Sequence, residues 1–498
     1  MKLSLQDVWA LASDRRFENL DMPILDDLTY SAKADKGSKA VDLIELDCDL
    51  PRKLQSFTGF IKGEESTVSK LPMALKLSAV LRYLASPIRY EPRNLPEVHY
   101  PMSSFGGFFS SNINLIYKGY DSNQTVNSFV YHPNYHALEK LSTKQGLEES
   151  LSQGELVFAL VGQYWTVGRK YGEYSPYGVV IDSGIAFAQL SYLLRLFGFS
   201  FSVKWSGLES LQTYFESKEG GQQLLVTVKV ELTESIEQIF KPAQRRRIAV
   251  WKEPKGIFEQ FSNLREIASV FSAPYIPNAE LESCGVQEDP VCIELPNLKL
   301  AKNHDMFDVI SNRSAGNDNA GFVGVSKDLE DDFLNNFLKT LAALGAKREK
   351  VPLEQESLSL NTAWINPYGP EQGIYDGSGN LVFRPEGQES YYQTLRDSLH
   401  NSQQLYNLPS MTMILFITAD IEDASSRAGT SSVRIAHIGA GAMVHDICLA
   451  ASLFGCFARP VRMFREAKLS QKFELKGQVV IQVLVGFARN NNFSMALI

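Results

Sequence analysis

Apolar and polar positions fall into the same ordered pattern twice along the chain. A continuous apolar run of strand length at 156–164 precedes a helix-length, largely apolar segment at 184–198, and a second strand-like run follows at 224–232. The order recurs at 412–419, 441–455 and 479–487. Both helical segments start on a glycine and close on Leu-Phe-Gly, at an offset of 257 residues (from 184 to 441). A terminal glycine suits the left-handed position just past a helix. Self-similarity at a fixed spacing is the mark of a duplicated unit. A strand is predicted at 113–117 in the first copy, and helices at 305–314 and 329–344 open the second. Between the copies, residues 251–303 hold Pro254, Pro274, Pro277, Pro290 and Pro296 with little periodicity, which reads as an extended connector. The expected organisation is therefore 1–250, a connector at 251–303, and 304–498.

Composition narrows the function classes. At 498 residues the chain is long enough for two to four domains, each with its own core. With 57 acidic and 49 basic side chains, a formal charge of −8, it has no basic excess with which to displace counterions from a phosphate backbone, so nucleic acid is a poor partner. The N-terminal Met1-Lys-Leu-Ser-Leu-Gln-Asp-Val8 turns polar before a signal-length apolar run develops, and no stretch reads as about 18 uncharged apolar residues, so a cytoplasmic protein with no membrane anchor is expected. Five scattered cysteines without a CxxC pair give no disulfide framework, and Cys448 and Cys456 read as buried thiols in an apolar helix. The seven histidines show no HExxH-type spacing, and no metal is assigned.

Two passages carry candidate chemistry. Met102-Ser-Ser-Phe-Gly-Gly-Phe-Phe109 places small residues before a strand, and a later extended piece ends in Val130-Tyr-His-Pro-Asn-Tyr-His-Ala-Leu-Glu139. Gly168-Arg-Lys-Tyr-Gly-Glu-Tyr-Ser-Pro-Tyr177 is followed by Ile181-Asp-Ser-Gly184. Together they resemble the "Pro-Ser-x-Gly", "Tyr-x-Tyr-x-Pro … His-x-Leu", "Lys-Tyr-Gly-x-Arg-x-Tyr-Arg" and "Asp-x-Gly-His" stretches of the nitroreductase-like flavoenzymes, specifically the SagB-type azoline dehydrogenases. The resemblance covers most of 50–235 and, more weakly, 304–490. Pro101 is displaced by one position, and Tyr174 and Ile185 stand where that family has arginine and histidine.

The resemblance implies an α+β fold of two tandem nitroreductase-like domains forming an intrachain pseudo-dimer, able to stand as a monomer. It implies FMN as cofactor, with a heterocyclised ribosomal peptide as substrate, oxygen to reoxidise the flavin, and cyclodehydratase proteins as partners. Oxidising an azoline removes a carbon-bound proton and a hydride, so a base must face the ring carbon. Tyr171 is the candidate base, and Lys170 the charge that would lower its pKa. At an offset of 257 that pair falls on Arg427 and Ala428, so the second copy lacks the phenol. Its counterpart to the serine-glycine passage is read as 359–369.

Phosphate anchoring is read from the second copy. Asn312-Arg313-Ser314 stands where the resembled family opens its first helix with Arg-x-Ser or Arg-Arg-Ser-x-Arg, aligned with Leu54-Gln55-Ser56 of the first copy, and Arg462 and Arg489 add cations. A single composite site follows: Ser103, Ser104, Gly106, Lys170 and Tyr171 from the first copy, with Arg313, Ser314, Arg462 and Arg489 from the second. The opposite site would be degenerate. Lys241 with Arg245, Arg246 and Arg247 reads as a solvated charge run, or as the cations of a second phosphate site. A flavin reductase using NAD(P)H on a nitro or enone acceptor, and a non-catalytic scaffold or peptide-binding subunit, stand as alternatives.

Overall fold

The computed structural model describes residues 3–13, 20, 36–92, 97–119, 126–141, 151–205, 211, 214–215, 221–232, 243–251, 262–273, 275, 304–316, 324–399, 406–462, 464–488 and 495–497. In the N-terminal half, α1 (Leu5–Leu11) starts on a reciprocal capping box between Ser4 and Asp7. There follow β1 (Lys36–Glu45), α2 (Phe57–Lys62), α3 (Met73–Ala85), β2 (Arg89–Tyr90), β3 (Val98–His99), β4 (Ser111–Lys118), β5 (Val126–His132), β6 (Ala137–Leu141) and β7 (Glu155–Gln163). Next come α4 (Tyr164–Tyr171), α5 (Ser175–Leu196), β8 (Phe201–Lys204), β9 (Gln222–Glu231), β10 (Gln244–Trp251) and α6 (Ser262–Phe271). Eight strands form one antiparallel sheet in the order β10-β1-β6-β5-β4-β7-β9-β8.

The C-terminal half runs α7 (Met306–Ser311), β11 (Gly324–Val325), α8 (Phe333–Lys347), β12 (Leu358–Trp364), β13 (Gly373–Asp376), β14 (Leu381–Phe383) and α9 (Gln388–Ser398). It continues with β15 (Met413–Ala419), α10 (Ile421–Ala428), α11 (Ser432–Leu453), β16 (Cys456–Val461), α12 (Glu466–Lys472), β17 (Gln478–Ala488) and β18 (Met495–Ala496). Its sheet runs β11-β17-β15-β12-β13-β14, with β16 also on β17. The fold is α+β.

The two long helices hold the halves together. Each has 22 residues, and in α5 every residue but Arg195 is buried. A helix that is apolar all round belongs in a core. By length and hydropathy both helices also pass as membrane spans, which the sequence reading did not anticipate; here 94% and 89% of the qualifying windows are buried inside the protein. They cross at their glycines. A Cβ on Gly184 would drive into the carbonyl oxygen of Ile438, and a Cβ on Gly441 into that of Ile181. Ile181 and Ile438 stand at the same offset of 257 as the glycines, so each half offers the same patch to the other, as in an isologous dimer contact.

The repeat extends beyond that pair. Helices α4 and α10 end on glycines of nearly identical dihedrals, φ 51 and ψ −129 at Gly172 and φ 51 and ψ −132 at Gly429. Helices α2 and α7 also meet across the halves: Phe57 N–H donates to His304 O and Met306 N–H to Gln55 O, both at 2.8 Å. Their capping residues, Ser56 and Asp305, form the bridge between them. This corrects the sequence alignment, because Ser56 corresponds to Asp305 and not to Ser314. The stretch read as extended connector contains α6, whose Leu264, Ile267 and Phe271 are fully buried. Cys456 opens strand β16 and does not lie in a helix.

The chain ends are exchanged between halves. From α1, Trp9 donates to Ser432 Oγ at 3.2 Å, and the carbonyl of Ala12 accepts from Arg462 at 2.8 Å. Strand β18, from the other end, pairs with β2 of the N-terminal half, and Arg82 holds the carbonyl of Leu497.

Candidate functional site

Residues 103–110 form a loop between β3 and β4, and one carboxylate fastens it. Asp182, buried on α5, accepts from Ser104 Oγ at 2.8 Å, Phe105 N–H at 2.6 Å, Ser110 Oγ at 2.8 Å and Ser110 N–H at 3.3 Å. Ser104 Oγ accepts in turn from Phe109 N–H at 2.7 Å. Burial pushes the Asp182 carboxyl up to about 6, against these hydrogen bonds, which favour the anion. At the loop's tip Gly106 has φ 62, a left-handed conformation open to glycine at little cost. Gly106 and Gly107 are exposed, and a Cβ on Gly107 would meet nothing within 4 Å.

Tyr171 is the last residue of α4 and lies against this tip. Its ring is centred 4.5 Å from that of Phe105, and a Cβ on Gly106 would come within 3.1 Å of it. Burial raises the phenol pKa well above its ordinary value; the nearby Tyr406 adds to the rise and the Arg459 guanidinium opposes it. Both residues come from the C-terminal half. The half-buried Lys170 places its ammonium 5.5 Å from the Tyr171 ring centre, a cation–π position. The lowered phenol pKa expected from Lys170 is therefore corrected: desolvation decides, and the Tyr171 phenol stays protonated near neutral pH.

Arg313 reaches the root of the same loop from the other half. Its Nε donates to Pro101 O and its Nη2 to Tyr100 O, each at 3.1 Å. Nη1 meets no oxygen or nitrogen partner among the described residues, and the Cys448 thiol lies within hydrogen-bonding reach of the guanidinium. That thiol is 3.8 Å from Ser103 Oγ. Glu91, whose charge reaches Arg313, is already paired with Arg89 at 2.6 Å. Burial lowers the Arg313 pKa. Arg89 in turn donates to the carbonyls of Ser311 and Arg313. Ser314 sits at the edge of β16, its carbonyl accepting from Ala458 N–H at 2.9 Å and its hydroxyl from Gly316 N–H at 3.2 Å.

The remaining sequence candidates separate. Arg462 is not brought to this loop: it pairs with Glu466 at 3.2 Å, donates to Ala12 O, and lies over the Tyr174 ring at 5.7 Å. Arg489 and Lys241 lie outside the described residues. Arg245, Arg246 and Arg247 are exposed on the edge strand β10, where charge discourages edge-to-edge pairing. The sequence reading gave no site role to Asp182 or Arg459. The motif containing Asp182 was in view, but nothing local reveals that its carboxylate would bind a loop 72 residues away.

In the second half the loop's counterpart is 350–357, not 359–369. Strand β4 meets β7 at Leu115 and Phe158, as β12 meets β15 at Thr362 and Leu415. That sets an offset of 247 (from 115 to 362) and places Leu353 on Gly106. The backbone agrees: Leu353 has φ 70, and Glu354 N–H bonds Val351 O as Gly107 N–H bonds Ser104 O, both at 3.1 Å. A leucine there costs about 1–2 kcal/mol of backbone strain. The surroundings hold it. Leu353 is 1% exposed, and Glu354 pairs with the buried Arg348, which also binds Asp446 at 2.9 Å. One loop is thus open with a cation at its root, while its counterpart is filled by an apolar side chain and closed by carboxylates.

No family model and no curated protein matches the sequence. Among solved structures, the chain superposes along nearly its whole length on a protein from Anabaena variabilis described as a putative nitroreductase. The TM-score is 0.64 at 12% identity, covering 97% of this chain and 99% of that one. The class this defines is one of fold: nitroreductase-like and α+β. Two weaker likenesses are to an E. coli microcin synthetase McbBCD complex with truncated pro-MccB17 bound (TM-score 0.25, 14% identity, 45% of this chain and 82% of that chain) and to a Desulfitobacterium hafniense nitroreductase with bound FMN (TM-score 0.22, 12% identity, 37% and 89%). Scores that low add nothing to the fold.

Proposed function

We propose that the chain is an FMN-dependent oxidoreductase whose two nitroreductase-like units, arranged as an intrachain pseudo-dimer, share one site between the 103–110 loop and the segment 313–314. The observation that carries this is the meeting of Arg313 with the root of the serine-glycine loop across the two halves. The residues fit the cofactor at its phosphate end, because the buried Arg313 Nη1 meets no oxygen or nitrogen acceptor among the described residues, a thiol being the neighbour within reach of the guanidinium, and the nearby carboxylate of Glu91 is engaged with Arg89. They also fit at the tip, where Gly107 is exposed and a Cβ on it would meet nothing within 4 Å, while Gly106 lies tight against Phe108 and Tyr171. Arg313, Ser103 and Ser314 would hold the anionic end. FMN, when bound, supplies two-electron hydride chemistry.

Burial keeps the Tyr171 phenol protonated, which is the form able to donate a hydrogen bond or proton to an acceptor taking up hydride, while the phenolate left by complete transfer carries the same desolvation cost. The azoline dehydrogenase reading, with a modified peptide as substrate, needs Tyr171 as a base, which its burial opposes. The reductive reading therefore leads: hydride from NAD(P)H, delivered to a nitro or enone acceptor, with the proton from Tyr171. Anaerobic mixing with NADPH should bleach the bound flavin. Bleaching by a heterocyclised peptide and not by NADPH would restore the dehydrogenase.

Flavin absorbance between 350 and 500 nm, counted per polypeptide, should give one FMN, since Leu353 and Glu354 close the counterpart site. Two per chain would overturn the composite site, and none after incubation with excess FMN would overturn the cofactor. Arg313→Gln should weaken FMN binding about 10- to 100-fold, the scale of one charge-assisted contact. Riboflavin, which lacks the phosphate, should bind the variant and the parent alike.

A further inference from the structure

We infer that Asp182 is a positioning residue that holds the 103–110 loop in its open, ligand-facing shape, a role that rests on the site proposed above. Among the described residues the loop's backbone pairs only through the turn bonds of Gly107 and Phe108 and, at its far end, through Ser110 O, which accepts from Gln163 N–H of β7 at 2.8 Å. It is instead drawn onto α5 at both ends by one side chain: Ser104 and Phe105 at the near end, and Ser110 by hydroxyl and amide at the far end. Phe105 between them lies over Gly178 of the same helix, where any Cβ would strike its ring. The exposed Gly106-Gly107 tip is what remains between the two tethers.

The second half shows what the same backbone turn does without this tether. Position 182 corresponds to Gly439, which has no acceptor to offer. There Ser357, the counterpart of Ser110, bonds Asp423 of α10 at 2.6 Å, and the turn is secured from its own centre by Glu354 on Arg348. A loop pinned at its centre is closed. A loop pinned only at its ends by a carboxylate beneath it keeps its centre free. Asp182 thus accounts for the difference between the two loops by chemistry, since it is an acceptor for four donors and no uncharged side chain of its size accepts that many.

Asp182→Asn tests this. The amide preserves shape but points N–H groups at donors that the carboxylate received. In the full chain at pH 7.5, FMN affinity measured by flavin fluorescence should fall at least tenfold. The gap between variant and parent should shrink toward twofold at pH 5, where the parent carboxyl is itself protonated. The groups facing Asp182 are the Ser104 and Ser110 hydroxyls, the backbone amides of 105 and 110, and the Tyr171 phenol on α4, which stays protonated throughout. The phosphate of FMN titrates in the same range, so the reading is the ratio of variant to parent at each pH. A ratio near one, or one that does not change with pH, overturns the inference. Asp423→Asn, which touches the counterpart loop, should leave FMN affinity unchanged.

Ser110→Ala gives a second, gentler perturbation should Asp182→Asn not fold, and should weaken FMN binding about threefold or more. Amide exchange on the FMN-free chain separates the two claims. Asp182→Asn should speed exchange at 105 and 110 at least tenfold while 354 and 357 keep the parent rates. If the parent chain fails to bind FMN, the proposed function falls and this exchange pattern alone decides the role of Asp182; unchanged exchange at 105 and 110 overturns it.

Discussion

Gly184→Ala is expected to destabilise the protein by about 3–5 kcal/mol, the top of the range for a single substitution. The added methyl points at the backbone carbonyl of Ile438 and is flanked by the Gly441 Cα at 3.0 Å. No rotamer change can relieve a clash with backbone, so α5 and α11 must separate, and the apolar surfaces of both units lose their packing along 22-residue helices. Gly441→Ala should cost a similar amount by the mirrored clash with Ile181. The double variant should cost less than the sum, because the first methyl has already opened the contact that the second would strain. Gly387→Ala, where a Cβ meets nothing within 4 Å, should fall within about 0.5 kcal/mol of the parent. The check is the thermal unfolding midpoint of all four variants. A Gly184→Ala chain that melts with Gly387→Ala would show that the helices do not cross as described.

Tyr171→Phe is expected to lower turnover about 10²- to 10³-fold with FMN retained, the usual scale for losing a positioned proton donor. The ring packing on Phe105 and Gly106 survives the change, so loop shape and cofactor affinity should be preserved. The pH profile supplies a second readout. Because the folded pKa is raised above its ordinary value of 10, the phenol is the donor form from pH 6 to 9, and the parent rate should show no alkaline limb from Tyr171 in that window. A phenolate base would give the opposite slope, with activity rising toward high pH. Turnover unchanged in Tyr171→Phe would remove the residue from the chemistry.

Much of the architecture was written in local pattern. The helix pair could be found because both copies keep a glycine at the crossing, set by the shared contact between the helices, and Leu-Phe-Gly at the end, where Gly198 and Gly455 take the left-handed conformation that stops each helix. The strands at 156–164, 412–419, 224–232 and 479–487 were legible as apolar runs because they are buried within their sheets, and they correspond to β7, β15, β9 and β17. The loop's counterpart was missed because the eye looks for glycine at a left-handed position. Leu353 adopts that conformation under constraint from Arg348 and Glu354, which sequence spacing does not display. The alignment of Ser56 with Ser314 failed for a related reason: the two capping residues that correspond, Ser56 and Asp305, differ in type while sharing a role. The sign of the Tyr171 pKa shift was not legible in the Lys170–Tyr171 pair, because it depends on desolvation by burial in the folded chain, to which the charge of Tyr406 from the distant half adds. Arg462 had the right residue type in a plausible position, and only the folded chain reveals that its partners include Ala12 O, just past α1, and Glu466.

The crossed ends of the chain bear on how it can be divided. Because α1 completes a surface of the C-terminal unit and β18 extends a small sheet of the N-terminal one, a cut within 276–300 would leave two fragments that each carry a piece belonging to the other. Expressed separately they should be poorly behaved, and mixed they should reassemble into a split protein held by nothing covalent. Leu497 lies beside Arg82 and β2 of the opposite unit, so a reporter attached at that position would sense the joining of the two fragments.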